Sequence, residues 1–371
     1  MLTLIRCNDI YSDPRAMKYV RYLNDNNIPY QMIGWDRENI VKETVHATFY
    51  KKKAGYNVGG LKAAFNRVGW MLYVIKELRK NSEKNVVLHC CDLDAAFPAV
   101  IYKKFFNKKA YIIFDVFDWF SASMSSQNAF IVWCFKKMEA ISMKGTDHYF
   151  ICEPERKDQF PVDVPDGKIS IFPNIPSFSN SSFLKLDDRF KFNNELITFS
   201  YVGYFSDERC IDEIITIASK GYVNLLIAGY GSEKIENRLR SLEGCSNIRY
   251  FGKVKYEDGL NIMYNSDIVY AMYSKVVPNH VYAAPNKYYE AMFIGRPIFT
   301  TSGTFVGKKV LNNGLGFISE ESESDISLVI ENLTKEDLRV KGHKAHQMWE
   351  AEYSTYTENF LSTKYRQLIG E

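Results

Sequence analysis

Residues 197–233, "ITFSYVGYFSDERCIDEIITIASKGYVNLLIAGYGSE", decide the reading of the fold. "ITFSYVG" is an apolar run of strand length, "CIDEIITIASKG" places isoleucines at helical spacing, and "VNLLIAG" is a second apolar strand. Strand, helix and strand joined by short turns make a β-α-β unit with parallel strands. Towards the C-terminus the alternation continues. Helices read in "SEKIENRLRSLEG", "YEDGLNIMYNS" and "APNKYYEAMFIGRPIF" (284–299), and strands in "IRYFG", "DIVYAM", "PIFTT" and "GLGFIS".

Towards the N-terminus the pattern also repeats. "LTLIRC" is a buried strand, and "SDPR" starts a helix that Ser12 or Asp13 can cap, with Pro14 in its first turn. Strands follow in "YQMIGW", "NVVLHCC", "KAYIIFDVFDWF", "DHYFICE" and "KISIFPN". Helices lie in "NVGGLKAAFNRVGWMLYVIKELRK", "LDAAFPAVIYKKFF" and "AFIVWCFKKMEAISMKG". The Ser/Asn/Asp-rich stretch "IPSFSNSSFLKLDDRFKFNN" (175–194) has no clean period and reads as a linker. The expected class is α/β, with two doubly wound parallel-sheet domains at 1–175 and 176–349 and ligands at the strands' carboxyl ends, in a cleft.

Composition narrows the function classes. In 371 residues, 46% hydrophobic and 25% charged content is that of a soluble globular protein, with aromatics high at 15%. No apolar run has the length of a membrane span, and the N-terminus lacks the pattern of a secretory signal. Seven cysteines, an odd number without C-x-x-C spacing, suit reduced thiols in a cytoplasmic protein. No histidine or cysteine spacing suggests a metal site, so none is expected. The first 175 residues hold 25 Lys and Arg against 19 Asp and Glu, and the rest 22 against 25. A basic first half suits anionic lipid or acidic substrates, and equally ordinary surface lysines.

The chemistry concentrates at glycines that follow strands. Gly203 ends one strand, Gly229 and Gly231 another, and each allows a tight turn or close approach of a ligand. Arg209, just before the "CIDEII" helix, can pair with phosphate oxygens or stand as a surface arginine. In "APNKYYEAMF", Pro285 is tolerated at a helix start. Lys287 at the mouth and Glu290 one turn in are either a solvated edge or an anion and a sugar-hydroxyl contact.

The ordered set "YVGYF…ER…DEII", "LLIAGYGSE", "IRYFGKVKYEDGLNIMYNSDIVYAMY" and "APNKYYEAMFIGRPI" resembles the C-terminal half of GT-B glycosyltransferases. The likeness is to the large retaining (family-4-like, group 1) bacterial transferases that use nucleotide-diphosphate sugars. "SDPRAMKYVRYLNDNNIPYQMIGWDR" and "LHCCDLDAAFPAVIYKKFFNKKAYIIFDVFDWF" resemble that group's acceptor-side domain, so the likeness covers nearly the whole chain. It implies two Rossmann-like domains facing across a cleft, with a C-terminal helix at about 350–371 crossing back onto the first.

It also implies a metal-independent transferase without a cofactor, taking a UDP- or GDP-sugar. The acceptor would be a glycan or polyprenyl-diphosphate-linked molecule of bacterial surface polysaccharide synthesis. The helix mouth at Asn286 and Lys287 would face the diphosphate, Glu290 the ribose, and Arg209 would neutralise the leaving group. Gly203, Tyr204, Gly229, Gly231, Val254 and Tyr282 complete the implied donor set. Three positions depart from the family pattern. Tyr282 stands eight before Glu290, where a first glutamate is usual; Asp212 and Glu213 stand where a second basic residue follows, with Lys275 or Lys287 to compensate; Phe117 stands where a histidine is common. Asn279, His280 or a backbone N–H would then contact the donor sugar.

On the acceptor side the implied residues are Asp13, Gly59, Gly60, Asp115 and Asp118, with Asp13 also readable as a helix cap. Asp118 would be the general base if the enzyme inverts; if it retains, as the resemblance favours, the aspartates bind or cap. Lysines beside aromatics in "KKKAGYNVGGLKAAFNRVGWMLYVIKELRK" and "IYKKFFNKK" suit weak contact with the inner membrane surface, although Trp70, Leu72 and Ile75 can equally be core. The rivals are a sugar-nucleotide epimerase of the same architecture and a non-catalytic glycan-binding or regulatory partner of a transferase. No nucleic-acid signature is present.

Overall fold

In a computed structural model of the chain, residues 1–371 are described except 9, 39–40, 42–43, 45, 54–60, 81–85, 124–128 and 177–181, together with the side chains of 12, 61–64 and 123. Gly59 and Gly60 lie outside the described residues. The chain divides into two units, Met1–Pro173 with Glu358–Glu371, and Asn174–Thr357.

The first unit carries strands β1 (Leu2–Arg6), β2 (Tyr30–Asp36), β3 (Ala47–Lys51), β4 (Val87–Cys91), β5 (Tyr111–Val116), β6 (His148–Ile151) and β7 (Ile169–Ile171). They form one parallel sheet in the order β3-β2-β1-β4-β5-β6-β7. Its inner strands are buried and mostly apolar, with His89 and Asp115 as buried exceptions. Helices Leu61–Lys80, Leu93–Phe105 and Ala129–Gly145 pack beside one another. Trp70 stacks on Trp35 of β2, with ring centroids 6.0 Å apart. The expected cap is present: the Asp13 carboxylate accepts from the Arg15 and Ala16 N–H groups, 3.0 Å each, at the start of helix Pro14–Asp25.

Strand β3 was not legible in the sequence. It is five residues at the sheet edge, running into lysines 51–53, and only Ala47 and Phe49 turn inward. The C-terminal residues complete this unit. Phe360 stacks on Phe172 at 4.5 Å, and the Tyr365 hydroxyl lies 3.0 Å from Nδ1 of the fully buried His89.

The second unit carries β8 (Thr198–Phe205), β9 (Asn224–Gly231), β10 (Ile248–Tyr250), β11 (Ile268–Ala271), β12 (Ile298–Thr301) and β13 (Gly316–Ser319), parallel, in the order β10-β9-β8-β11-β12-β13. Helix Ile211–Ser219 buries the isoleucines at 211, 214, 215 and 217. The stretch read as a linker is, from residue 182, part of this unit. The Lys185 and Asp187 N–H groups donate to the side chains of Asn261 and Asn265, and Phe190 is buried against Phe251. Its few apolar residues have no period because they pack singly onto an existing surface.

Candidate functional site

The second unit gathers its polar chemistry at the carboxyl ends of β8 and β9. Gly203 has φ 151°, and a Cβ there would stand 2.8 Å from Lys287 Nζ. At Gly229 (φ 150°) a Cβ would stand 1.8 Å from the Gly203 carbonyl oxygen, and Gly231 is likewise crowded by the Phe205 backbone. Gly229 and Gly231 are therefore glycine because two strand ends converge, whereas at Gly203 the positive φ itself calls for glycine and the nearest atom is the flexible end of Lys287.

That ammonium belongs to the second residue of helix Asn286–Phe293, which Pro285 precedes in extended conformation. Lys287 is half-buried, with Nζ 5.0 Å from the Tyr201 ring centroid. Burial, reinforced by Arg209 and opposed by Glu290, pushes its ammonium down to about 8. The Arg209 guanidinium lies 4.3 Å from the centroid of Tyr273. Neither cation forms an ion pair among the described residues. Two cations, each facing an aromatic ring rather than a carboxylate, make an electropositive site suited to an anion. Asn286 is exposed at the helix mouth.

Glu290 is 6% exposed and accepts a 2.8 Å hydrogen bond from the Tyr256 hydroxyl. Burial raises its carboxyl above the usual range, with Lys287 and Tyr256 opposing. Asp212 does not oppose an anion, because Lys234 and Arg238 hold it at 2.6 and 2.8 Å. Lys275 does not compensate, since Glu320 takes it at 2.6 Å. Tyr204 is half-exposed at the end of β8, edge-to-face with Tyr230 of β9. Val254 is partly buried in the cluster around Phe190 and Leu226. Tyr282 is half-buried just after the short helix Pro278–Val281, and His280 Nδ1 sits 3.0 Å from the Ser274 carbonyl oxygen.

In the first unit the structure separates the three described acceptor-side aspartates. Asp115 is fully buried: Arg15 donates to it through Nε and Nη2, and Tyr19 through its hydroxyl at 2.7 Å. Burial alone would raise its carboxyl, but Arg15 and His89 hold it below the usual range. It is an internal counter-ion, and so not available to an acceptor. Asp13 caps its helix and pairs with Arg6. Asp118, with its side chain 63% exposed, alone of the three faces solvent, 3.3 Å from Nη2 of the buried Arg156. His89, Cys91 and Asp115 lie close enough together to suggest a metal site. The Arg15 and Tyr19 contacts already occupy the carboxylate oxygens, which does not fit a bound cation.

Asp92, which the sequence reading passed over, follows β4 with φ 69° and ψ 172°. It accepts from the Phe117 N–H at 3.0 Å and pairs with Arg6, whose guanidinium carbon lies 4.3 Å from the Phe117 ring centroid. Burial pushes its carboxyl up to about 6, against Arg6. An aspartate directly before a helix was the only signal available. Tyr201, Tyr256 and Tyr273 were also missed, because tyrosines in apolar runs read as core.

No protein-family model matches the chain, and no curated protein matches it by sequence. Solved structures do resemble it. WaaG, a glycosyltransferase involved in lipopolysaccharide biosynthesis, is 12% identical with a TM-score of 0.65 over 100% of both chains. HepE of Anabaena, in complex with UDP, is 10% identical with a TM-score of 0.68 over 99% of both. A candidate UDP-N-acetylglucosamine 2-epimerase from Listeria monocytogenes is 11% identical with a TM-score of 0.61, over 99% of this chain and 95% of its own. The fold is GT-B. Within this GT-B chain the carboxyl ends of β8 and β9 gather Gly203, Arg209, Lys287 and Glu290, four residues the sequence singled out. Among the described residues, no helix is long and apolar enough to cross a membrane.

Proposed function

We propose that the protein is a glycosyltransferase that moves a sugar from a UDP- or GDP-sugar to a glycan or lipid-linked acceptor in bacterial surface polysaccharide synthesis, in the cytoplasm. The carrying observation is the pair Arg209 and Lys287, two cations that face aromatic rings and form no ion pair among the described residues, with Lys287 Nζ against Gly203. A diphosphate there would meet two charges and a helix N-terminus, and the same charges would stabilise it as the leaving group. With those charges supplied by the protein, the reaction as proposed requires no divalent metal. Glu290, held by Tyr256, is the proposed ribose acceptor. The proposed stereochemical course is retention, with Asp118 orienting the acceptor. The UDP complex of HepE supports a uridine nucleotide and WaaG supports transfer.

The test is thermal shift and calorimetry with UDP and GDP in the presence of a chelator. Stabilisation should reach about 2.7 kcal/mol at one hundred times the dissociation constant, and Glu290→Gln should weaken binding about tenfold or more. No binding of either nucleotide, or binding only with added metal, rejects the site. The epimerase neighbour favours a second reading. That reading requires a UDP-sugar to be isomerised with no acceptor present, which mass-neutral NMR detects. Nucleotide binding with neither transfer nor isomerisation would instead mark a non-catalytic partner.

A further inference from the structure

The first unit carries a surface that the donor site does not use. Helices Leu61–Lys80 and Ala129–Gly145 flank helix Leu93–Phe105. Each flanking helix exposes a stripe of the same design. On the first it is Phe65, Val68, Leu72, Lys76 and Arg79; on the second it is Phe130, Trp133, Lys137, Ile141 and Lys144. Both follow the spacing i, i+3, i+7, i+11, i+14, which keeps a row within about 80° of the helix surface at ~100° per residue. The exposure is large: Phe65 71%, Leu72 63%, Phe130 69% and Trp133 54%.

The two stripes run in the same sense. Near the helix starts, the Arg67 guanidinium spans the gap, 5.7 Å from the Phe135 ring centroid. Near the far end, Arg79 lies 4.6 Å from the Phe106 ring, beside the exposed Phe105. An apolar band at one end thus passes into a band where apolar and basic side chains mix. The acidic residues complete the pattern. The three helices contain only Glu77, Asp94 and Glu139, and all three are buried. A monomeric soluble protein does not usually leave so many large apolar residues together. Three helices with no exposed acid also select a partner by charge.

We propose that this face docks on an anionic lipid bilayer, with Phe65, Leu72, Phe130 and Trp133 entering the headgroup boundary and the lysines meeting lipid phosphates. Aromatic and aliphatic side chains beside lysines match the two attractions available at that boundary, apolar burial and anionic charge. A polyanion such as RNA would account for the lysines but not for the apolar rows. The inference uses only the first unit and stands whether or not the donor site binds a nucleotide.

Trp133 makes the test direct, because the other four tryptophans, at 35, 70, 119 and 349, are buried. The full chain is mixed with vesicles of phosphatidylcholine containing about one third phosphatidylglycerol, and with pure phosphatidylcholine. Expected are co-sedimentation with the anionic vesicles, a blue shift of emission, loss of iodide quenching and quenching by brominated lipid. The quadruple variant Lys76→Glu/Arg79→Glu/Lys137→Glu/Lys144→Glu should lower partitioning by at least about a hundredfold. Phe65→Ser/Leu72→Ser/Phe130→Ser should abolish it with an unchanged circular-dichroism melt. The proposal is overturned if the unsubstituted protein ignores anionic vesicles or keeps Trp133 open to iodide on them. It is also overturned if the apolar variant still binds, or if the protein alone is a dimer that this variant dissociates, which would assign the face to a second copy.

Discussion

At the residue scale, Lys287 and Asp92 each hold a state that an isolated chain would not choose. Burial lowers Lys287 from its ordinary 10.5 to about 8. Between those values the unfolded chain binds a proton that the folded chain does not, so apo stability rises with pH across that window. Below pH 8 the charged lysine costs the fold on the order of 2 kcal/mol after allowance for partial exposure. Lys287→Met should therefore raise the melting temperature of the apo protein at pH 7 while weakening UDP. In the unsubstituted protein UDP should weaken as pH rises through about 8, where the diphosphate is already fully ionised. Calorimetry at pH 7 and 9 reads this, and a pH-independent affinity would remove Lys287 from the site. Asp92 lies in a backbone region that is essentially glycine's own, at a cost of about 1–3 kcal/mol. Asp92→Ala keeps that strain, removes the acceptor of the Phe117 N–H and leaves Arg6 with Asp13 as its one remaining carboxylate among the described residues. Asp92→Gly loses the same bonds but relaxes the backbone. Denaturant melts should rank glycine above alanine by about 1–3 kcal/mol, the reverse of their usual order. Lys287 was legible because a cation at a helix mouth is a sequence pattern; the Asp92 strain was not, because φ is set by the packing of β4 against β5.

At the element scale, the long apolar strands and the helices between them were legible, since a buried parallel strand is a continuous apolar run wherever it occurs. Strand β3 escaped because an edge strand has one neighbour and little apolar content. The glycines at the ends of β8 and β9 were legible as positions, but their separate reasons appear only from the convergence of the two strands. That convergence separates two substitutions. Gly229→Ala drives a Cβ into the Gly203 carbonyl oxygen, a backbone atom that cannot move without parting the strands. It should destabilise the fold by more than about 3 kcal/mol. At Gly203 the added methyl meets the flexible end of Lys287. Gly203→Ala should lose less stability than Gly229→Ala and proportionally more UDP affinity. Equal stability losses with UDP affinity kept at Gly203→Ala would mean that the ammonium position is immaterial.

At the scale of the whole molecule, the chain begins the first unit, builds the second, and returns to finish the first. Residues 358–371 bring Phe360, Leu361, Tyr365 and Ile369 as buried side chains. The Tyr365 hydroxyl gives the fully buried His89 a partner beside the Arg15–Asp115 pair. Burial keeps that histidine below its ordinary value. Tyr365→Phe should cost about 0.5–1.5 kcal/mol for the hydrogen bond. Tyr365→Ala should cost about 3–5 kcal/mol, as large-to-small substitutions of buried aromatics do. Ending the chain at Thr357 removes the four side chains together. If the segment is structural for the first unit alone, that shortened chain should lose the first unit's cooperative melting transition. UDP should still shift the transition of residues 174–357, because Arg209, Lys287 and Glu290 all lie there. Calorimetry of the shortened chain with and without UDP reads both outcomes at once. A first unit that melts as before would show the returning segment to be dispensable, and loss of the UDP shift would show that the donor site depends on residues beyond its own unit.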